Sequence, residues 1–474
     1  MAFSSITFLF GFLVVFLIIY HAIPQRFIQA RNLFVLIVSY LFYIWGAPGF
    51  VPFLFLSTVA DYFLGLLIVK TGKKKLMLAI SLILNLGLLG YFKYMNFLVG
   101  EISALLLLFG FDSLFWIKIA LPLGISFIIF HKISYIIDVY RGVSTPQRNF
   151  FTFALYVALF PKLIAGPITR YHEISDELIS REHTLGGIYD GLTRFCYGLG
   201  KKVLIADTIG LTADRIFQLS YGDLTLPVAW LGILCYTFQI YFDFAGYSDM
   251  AIGIGRMIGF HIPENFNLPY IATSIRDFWR RWHISLTNCL RDYLYIPLGG
   301  NRVSKVRTYF NLWIVFVLCG LWHGASWTFI FWGVYHGVLL TGERTLPERI
   351  TGKIPGFLLL IGTFILVLIG WVFFRSDTIL NAFGYIGVMF KFGTFFSTRD
   401  IPFLITNKGW FFLIIAAILS FHPYLTGRSR YIRQVVANSM VFKYSYGVFA
   451  IIILIYSVIT LSGSTYNPFI YFRF

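Results

Sequence analysis

Apolar runs recur along the chain near residues 5–22, 33–47, 50–69, 76–98, 104–117 and 119–137, and again near 151–168, 226–247, 310–321, 326–341, 356–374, 409–421 and 446–462. Such runs predict helices that cross a bilayer, where each backbone N–H and C=O must be satisfied inside the protein. Several are shorter than the roughly 20 residues a spanning helix needs. That shortfall predicts broken, re-entrant or tilted helices whose irregular backbone is buried or lines a cavity. The expected fold is therefore all-α, a polytopic bundle of about 10–12 transmembrane helices with short re-entrant and interfacial helices. The longest polar stretches, about 169–190, 261–308 and 343–355, leave no room for a second soluble domain.

Composition excludes the soluble alternative. Of the 474 residues, 58% are hydrophobic and 12% charged, and the mean hydropathy is +0.77. Too few charges remain to cover a water-facing surface. The net charge of +17 comes in short basic clusters between apolar runs, the distribution of cytoplasmic loops rather than of a nucleic-acid binder. Clusters at Gln25–Arg31, Lys70–Lys75 and Arg141–Arg148 are all cytoplasmic if the N-terminus lies outside and the early spans alternate. The N-terminal run lacks a basic leader and a small-residue cleavage site, so it is expected to be a first span rather than a removed signal. Cys196, Cys235, Cys289 and Cys319 are scattered without CxxC spacing, and neither a disulfide nor a metal is expected from them.

Against this background a few polar residues stand out. The stretch "SIRDFWRRWHISLTNCLRDYLYIPLGGNRVSKVR" carries Arg276, Arg280, Arg281, Arg291, Arg302, Lys305 and Arg307 against Asp277 and Asp292. If 275–290 is one helix, Trp279, His283 and Thr287 share a face. The stretch suits an interfacial helix held by anionic lipid, or a site for a phosphate-bearing ligand. His323 lies in "GLWHGASWTF", an apolar run with small residues around it. An ionisable residue at membrane depth suggests function, and Gly320 and Gly324 leave room for helix contact or a narrow channel, with Trp322 and Trp327 as walls. His336, 13 residues on, is about 140° around a continuous helix and is expected to be structural. Asp243 and Asp249 need partners if buried; in a transporter they would be coupling sites. "LFPKLIAGPITRYHEI" suits either a re-entrant segment or a proline-kinked helix. Gly253, Gly255 and Gly259 do not form a dinucleotide fingerprint, and the chain has no Walker A, GxSxG or HExxH motif.

Together, "LFYIWG", "NLGLLGYFKYMNF", "PLGISF", "SYIIDVYRG", "FPKLIAGPITRYHEI", "GLGKKVLIAD", "FDFAGYSDMAIGIGRMIGF", "PENFNLPYIATSIRDFWRRWHISLTNCLRDYLYIPLGGNR", "GLWHGASWTFIFWGVYHG", "GWVFFRS" and "FIYFRF" resemble the membrane-bound O-acyltransferase family, in particular its bacterial branch typified by the alginate O-acetylation membrane protein. The resemblance covers nearly the whole chain. It implies one domain, 1–474, around a central tunnel: N-terminal spans at 1–150, a catalytic core at 151–345 and C-terminal spans at 346–474. It implies a bacterial inner-membrane location. It also implies that His323 is the catalytic histidine and His283 a second functional histidine nearer a cytoplasmic donor entrance. "FIIFHKISY" departs from the family pattern, with His131 and Lys132 in place of the usual Gln-Ala or similar.

The mechanism implied is acyl transfer across the membrane. Acetyl-CoA, or another acyl thioester, would donate from the cytoplasm, and no metal is called for. Arg276, Arg280, Arg281 and Trp279 would hold the donor at its entrance through charge-assisted bonds and stacking. Trp322, Ser326 and Trp327 would line the tunnel and exclude water. His323, neutral in apolar surroundings, would serve as general base on an acceptor hydroxyl, while His283 would orient the thioester or stabilise the oxyanion. The acceptor would be a polysaccharide, peptidoglycan or a periplasmic partner protein that relays the group; carrier-protein-dependent D-alanylation is the related alternative. A transporter or an export scaffold is the rival from another class, although no repeated halves are visible.

Overall fold

The computed structural model describes residues 2–220, 222–346, 352–391, 401–425, 440–463 and 470. Every regular element among them is helical. Among the described residues, six helices are long and apolar enough to cross a membrane: Ile28–Gly46, Pro48–Lys70, Lys74–Leu108, Leu226–Met257, Gly356–Arg375 and Tyr444–Ser462. Thr7–Ala22, Ile379–Met389 and Asn407–His422 are shorter apolar helices. The protein is an all-α polytopic membrane protein. Helices such as Ile125–Arg141, Lys305–His323 and Trp327–Thr345 lie in further apolar runs and carry buried polar side chains among the apolar ones.

The described chain forms two compact units, interleaved in sequence. The first comprises Met1–Gly191, Ala251–Pro263 and Gly324–Ser326; the second comprises Leu192–Met250, Glu264–His323 and Trp327–Phe474.

In the first unit the polar residues inside apolar helices find one another. Asp61 accepts hydrogen bonds from Ser81 Oγ at 2.5 Å and Asn85 Nδ2 at 2.9 Å, and pairs with Lys132 at 3.3 Å. The Lys132 that departs from the family pattern is thus matched by a buried carboxylate on a neighbouring helix. The segment 159–174 resolves as a break rather than a kink. Helix Phe150–Ala158 ends, one turn forms at Phe160–Leu163, and the chain runs irregularly to Tyr171. Residues 160–169 are all buried, as irregular backbone at membrane depth must be. Lys162 is fully buried within it, its Nζ 3.9 Å from the centroid of the Tyr156 ring.

The second unit is built on close helix packing. Helices Lys305–His323 and Trp327–Thr345 form an antiparallel hairpin joined by three residues. A Cβ on Gly320 would lie 2.2 Å from the carbonyl oxygen of Phe329, and one on Gly333 would lie 2.3 Å from that of Phe316. These glycines let the two backbones touch. The small residue before His323 therefore serves helix contact. Asp243 and Asp249 also find partners here. Lys202 bridges Asp207 at 2.5 Å and Asp243 at 2.8 Å, and the Ile470 N–H donates to Asp243 at 2.8 Å. Asp249 takes Lys201 at 2.6 Å and Arg194 at 2.8 Å.

Candidate active site

The basic stretch does not form one helix over 275–290. It folds as two short helices, Ile275–Arg281 and Ile284–Leu290, broken at Trp282–His283. Ser274 caps the first through Asp277 N–H at 3.0 Å, and Glu343 accepts from the N–H groups of Ile275 and Arg276 at 2.7 and 3.2 Å. Backbone at His283 is left-handed, with φ 45°, a conformation that costs a residue other than glycine about 1–3 kcal/mol. The break removes Trp279 and His283 from a common face.

Residues of both short helices line a cavity of about 250 Å³. Arg276, Arg280, Arg291 and Arg344 surround it together with Trp279, and Leu286, Leu312, Val315, Phe316 and Cys319 make it apolar. Its size is below the roughly 300 Å³ of ordinary small-molecule pockets and suits a slender arm. Arg276 and Arg280 are exposed. Trp279 is buried, and its indole N–H donates to His336 Nδ1 at 3.4 Å. His336 thus contacts the tryptophan of the cavity wall. Arg281 does not line the cavity; it pairs with Asp277 at 2.9 Å.

Leu312, Val315, Cys319 and His323 recur at helical spacing on Lys305–His323, so the apolar lining follows one face toward His323. His323 ends that helix, 3% exposed. Its ring centroid lies 4.9 Å from Trp322, 5.1 Å from Trp332 and 5.1 Å from Phe374. Trp322 also lies 5.8 Å from the ring of His283, so one indole is in contact with both histidines. His283 is fully buried, edge-on to Phe244 at 4.7 Å, with Nδ1 3.0 Å from Asn265 Oδ1.

The sequence model of the MBOAT, membrane-bound O-acyltransferase family, matches residues 143–375, a span that contains both histidines and the whole cavity. The probable alginate O-acetylase AlgI of Pseudomonas putida is 43% identical along the full length of both chains. The chain belongs to the membrane-bound O-acyltransferase family. The probable alginate O-acetylase AlgI of Azotobacter vinelandii is 49% identical over 83% of this chain and 79% of its own. A peptidoglycan O-acetyltransferase of Helicobacter pylori is 38% identical over 80% of this chain and 78% of its own. The protein is a membrane O-acyltransferase.

Within this acyltransferase, the residues singled out from sequence divide. His283, His323 and Trp322 come together, and Trp279, Arg276 and Arg280 share the cavity. Trp327 is 52% exposed at the start of its helix, whereas Trp322 is buried. Ser326 belongs to the other compact unit. Sequence reasoning missed Trp332 and Phe374 around His323, Cys319 and Arg344 in the cavity, and Asn265 beside His283. Cys319 was legible in principle, four residues before His323. Asn265 sits in an irregular loop with no periodicity to mark it.

Proposed function

We propose that this acyltransferase takes an acetyl group from acetyl-CoA at the cytoplasmic face of the bacterial inner membrane. The group is used for O-acetylation of an extracytoplasmic polysaccharide, directly or through a periplasmic partner protein. The observation that carries the reading is the arginine-mouthed cavity whose apolar lining follows one helix face as far as Cys319, one turn before His323. Donor phosphates stay at Arg276, Arg280, Arg291 and Arg344, where charge-assisted bonds hold them in water. The neutral pantetheine arm enters the apolar part and brings its thioester toward His323.

His323 removes the proton from the acceptor hydroxyl as its oxygen attacks the thioester carbonyl. The carbon–sulfur bond breaks, and the proton passes to the departing thiolate. The products are an ester and free coenzyme A. Trp322, Trp332 and Phe374 restrict water around His323 and so limit hydrolysis. The names of the relatives, two alginate O-acetylases and a peptidoglycan O-acetyltransferase, support acetyl as the group and an envelope glycan as its destination.

The test is acetyl transfer from labelled acetyl-CoA by the full chain reconstituted in vesicles, with glycan esters measured by mass spectrometry. His323→Ala should lower the rate at least about 100-fold, the lower end for general-base catalysis, at equal amounts of folded protein. A near-native rate removes His323 from the chemistry. If the wild-type chain turns over no thioester, the acetyl-CoA reading fails.

A further inference from the structure

Asn265 is buried, and its side chain meets the second histidine with an arrangement that leaves one choice of proton. Asn265 Oδ1 accepts from Ser285 N–H at 3.3 Å and Ser285 Oγ at 2.9 Å, while Nδ2 donates to Ser248 Oγ at 3.1 Å. These contacts fix which end of the amide is oxygen. His283 Nδ1 lies 3.0 Å from the same Oδ1. A carbonyl oxygen cannot donate, so Nδ1 carries the hydrogen. The neutral ring then has its lone pair on Nε2. Asn265 also takes the Ile284 N–H on its backbone carbonyl at 2.9 Å. One residue thereby holds both the ring of His283 and the chain that leaves its left-handed backbone.

We infer that Asn265 is a positioning residue for the acyl-transfer reaction, holding His283 so that the neutral ring's Nε2 accepts a proton or hydrogen bond rather than donating one to an oxyanion. The inference rests on the two-histidine reading of the site. It replaces the oxyanion role suggested by resemblance, because a neutral ring in this tautomer has no Nε2–H to offer. The group Nε2 receives is an O–H, the chemistry of an acceptor hydroxyl.

The ionisable groups on the surrounding elements have other partners. Asp249 is held by Arg194 and Lys201, Glu264 by Arg194, and Asp243 by Lys202. Cys289 follows on the same short helix as a buried thiol. His323 is reached through Trp322. The Asn265 amide is thus the polar contact through which the Nδ1 edge can be altered without changing a charge already present.

The test uses the full chain in vesicles with acetyl-CoA, comparing Asn265→Asp, Asn265→Ala and His283→Gln across pH. Aspartate keeps an acceptor for Nδ1–H but adds a negative charge against the ring, favouring its protonated form by about one pH unit or more. If His283 works as a neutral acceptor, the acid limb of the rate profile moves to higher pH by that amount. The shift should vanish when His283→Gln is added. Asn265→Ala should lower kcat about tenfold or more, while KM for acetyl-CoA stays within about twofold, because the donor arginines are untouched. An unmoved acid limb in Asn265→Asp, or a gain in activity there, overturns the assignment even if Asn265→Ala fails to fold. Full activity in His283→Gln would instead remove the second histidine from the reaction, and His323→Ala separately tests the general-base reading.

Discussion

Cys319 precedes His323 by one turn of the same helix and lines the apolar cavity that opens between the arginines. A rise of about 6 Å separates the two Cα atoms along the axis. Anything that fills the space at Cys319 therefore stands between a donor arm and the histidine. Cys319→Trp should raise KM for acetyl-CoA about tenfold or more and lower turnover, whereas Cys319→Ala should stay near native. Overpacking a core costs about 1–3 kcal/mol, so rates are to be compared per folded molecule, measured by monodisperse recovery in detergent. Native kinetics in the tryptophan variant would separate the cavity from the donor path.

The arginines make a sharper test, because adjacent side chains have different surroundings. Arg280 lines the cavity, while Arg281 is paired with Asp277. Arg280→Gln should raise KM for acetyl-CoA severalfold with kcat little changed, as expected when an interaction is equal in ground and transition states. Arg281→Gln should leave KM near native and cost no more than about 1 kcal/mol, the range of a partly exposed i,i+4 pair. Higher salt should raise the wild-type KM and flatten the difference between wild type and Arg280→Gln. Equal effects of the two substitutions would favour a general basic surface over a defined mouth.

The contrast between these neighbours shows how far the sequence reaches. Apolar runs established the helical membrane class, and the singular setting of His323 marked it without any partner in view. Positive charge over 276–307 suited either a lipid-held helix or a phosphate site, and did not say which arginines line the cavity. That depended on the break at His283, where Asn265 and left-handed backbone override a pattern that continues helically through the sequence. Trp332 and Phe374 are 9 and 51 residues beyond His323. They reach it only because Gly320 and Gly333 let the hairpin close and Gly356–Arg375 packs beside it. Aromatic residues are so common in this chain that composition could not single them out.

The departure at Lys132 gives a stability prediction in the first unit. Lys132 and Asp61 are buried at 3.3 Å, with Ser81 and Asn85 also bound to the carboxylate. Removing one partner of a buried pair leaves an uncompensated charge and costs about 3–5 kcal/mol, while replacing both by apolar residues is often neutral. Asp61→Leu should therefore lower the apparent melting temperature in detergent sharply, and Asp61→Leu with Lys132→Met should restore most of it. If the double variant is no better than the single, the pair contributes through the hydrogen bonds of Ser81 and Asn85 rather than through charge.

Orientation follows from helix alternation within the second unit. Arg302 and Lys305 precede a 19-residue helix that ends at His323, about 28 Å long against a hydrocarbon core of roughly 30 Å. The return helix Trp327–Thr345 brings Arg344 back to the cavity that also holds Arg276. Helix Gly356–Arg375 then crosses outward again, ending in an ion pair between Arg375 and Asp214 at 2.8 Å. The excess of Lys and Arg near Arg302 predicts a cytoplasmic location for that end, so Asp377, just beyond Arg375, should face outside. Single cysteines at Arg302 and Asp377, in a chain whose four native cysteines are replaced, test this with a membrane-impermeant thiol reagent on spheroplasts. Asp377→Cys should label in intact spheroplasts, and Arg302→Cys only after the membrane is opened. The reverse pattern would place the arginine mouth outside, away from any cytoplasmic donor, and would overturn the direction of transfer proposed for this enzyme.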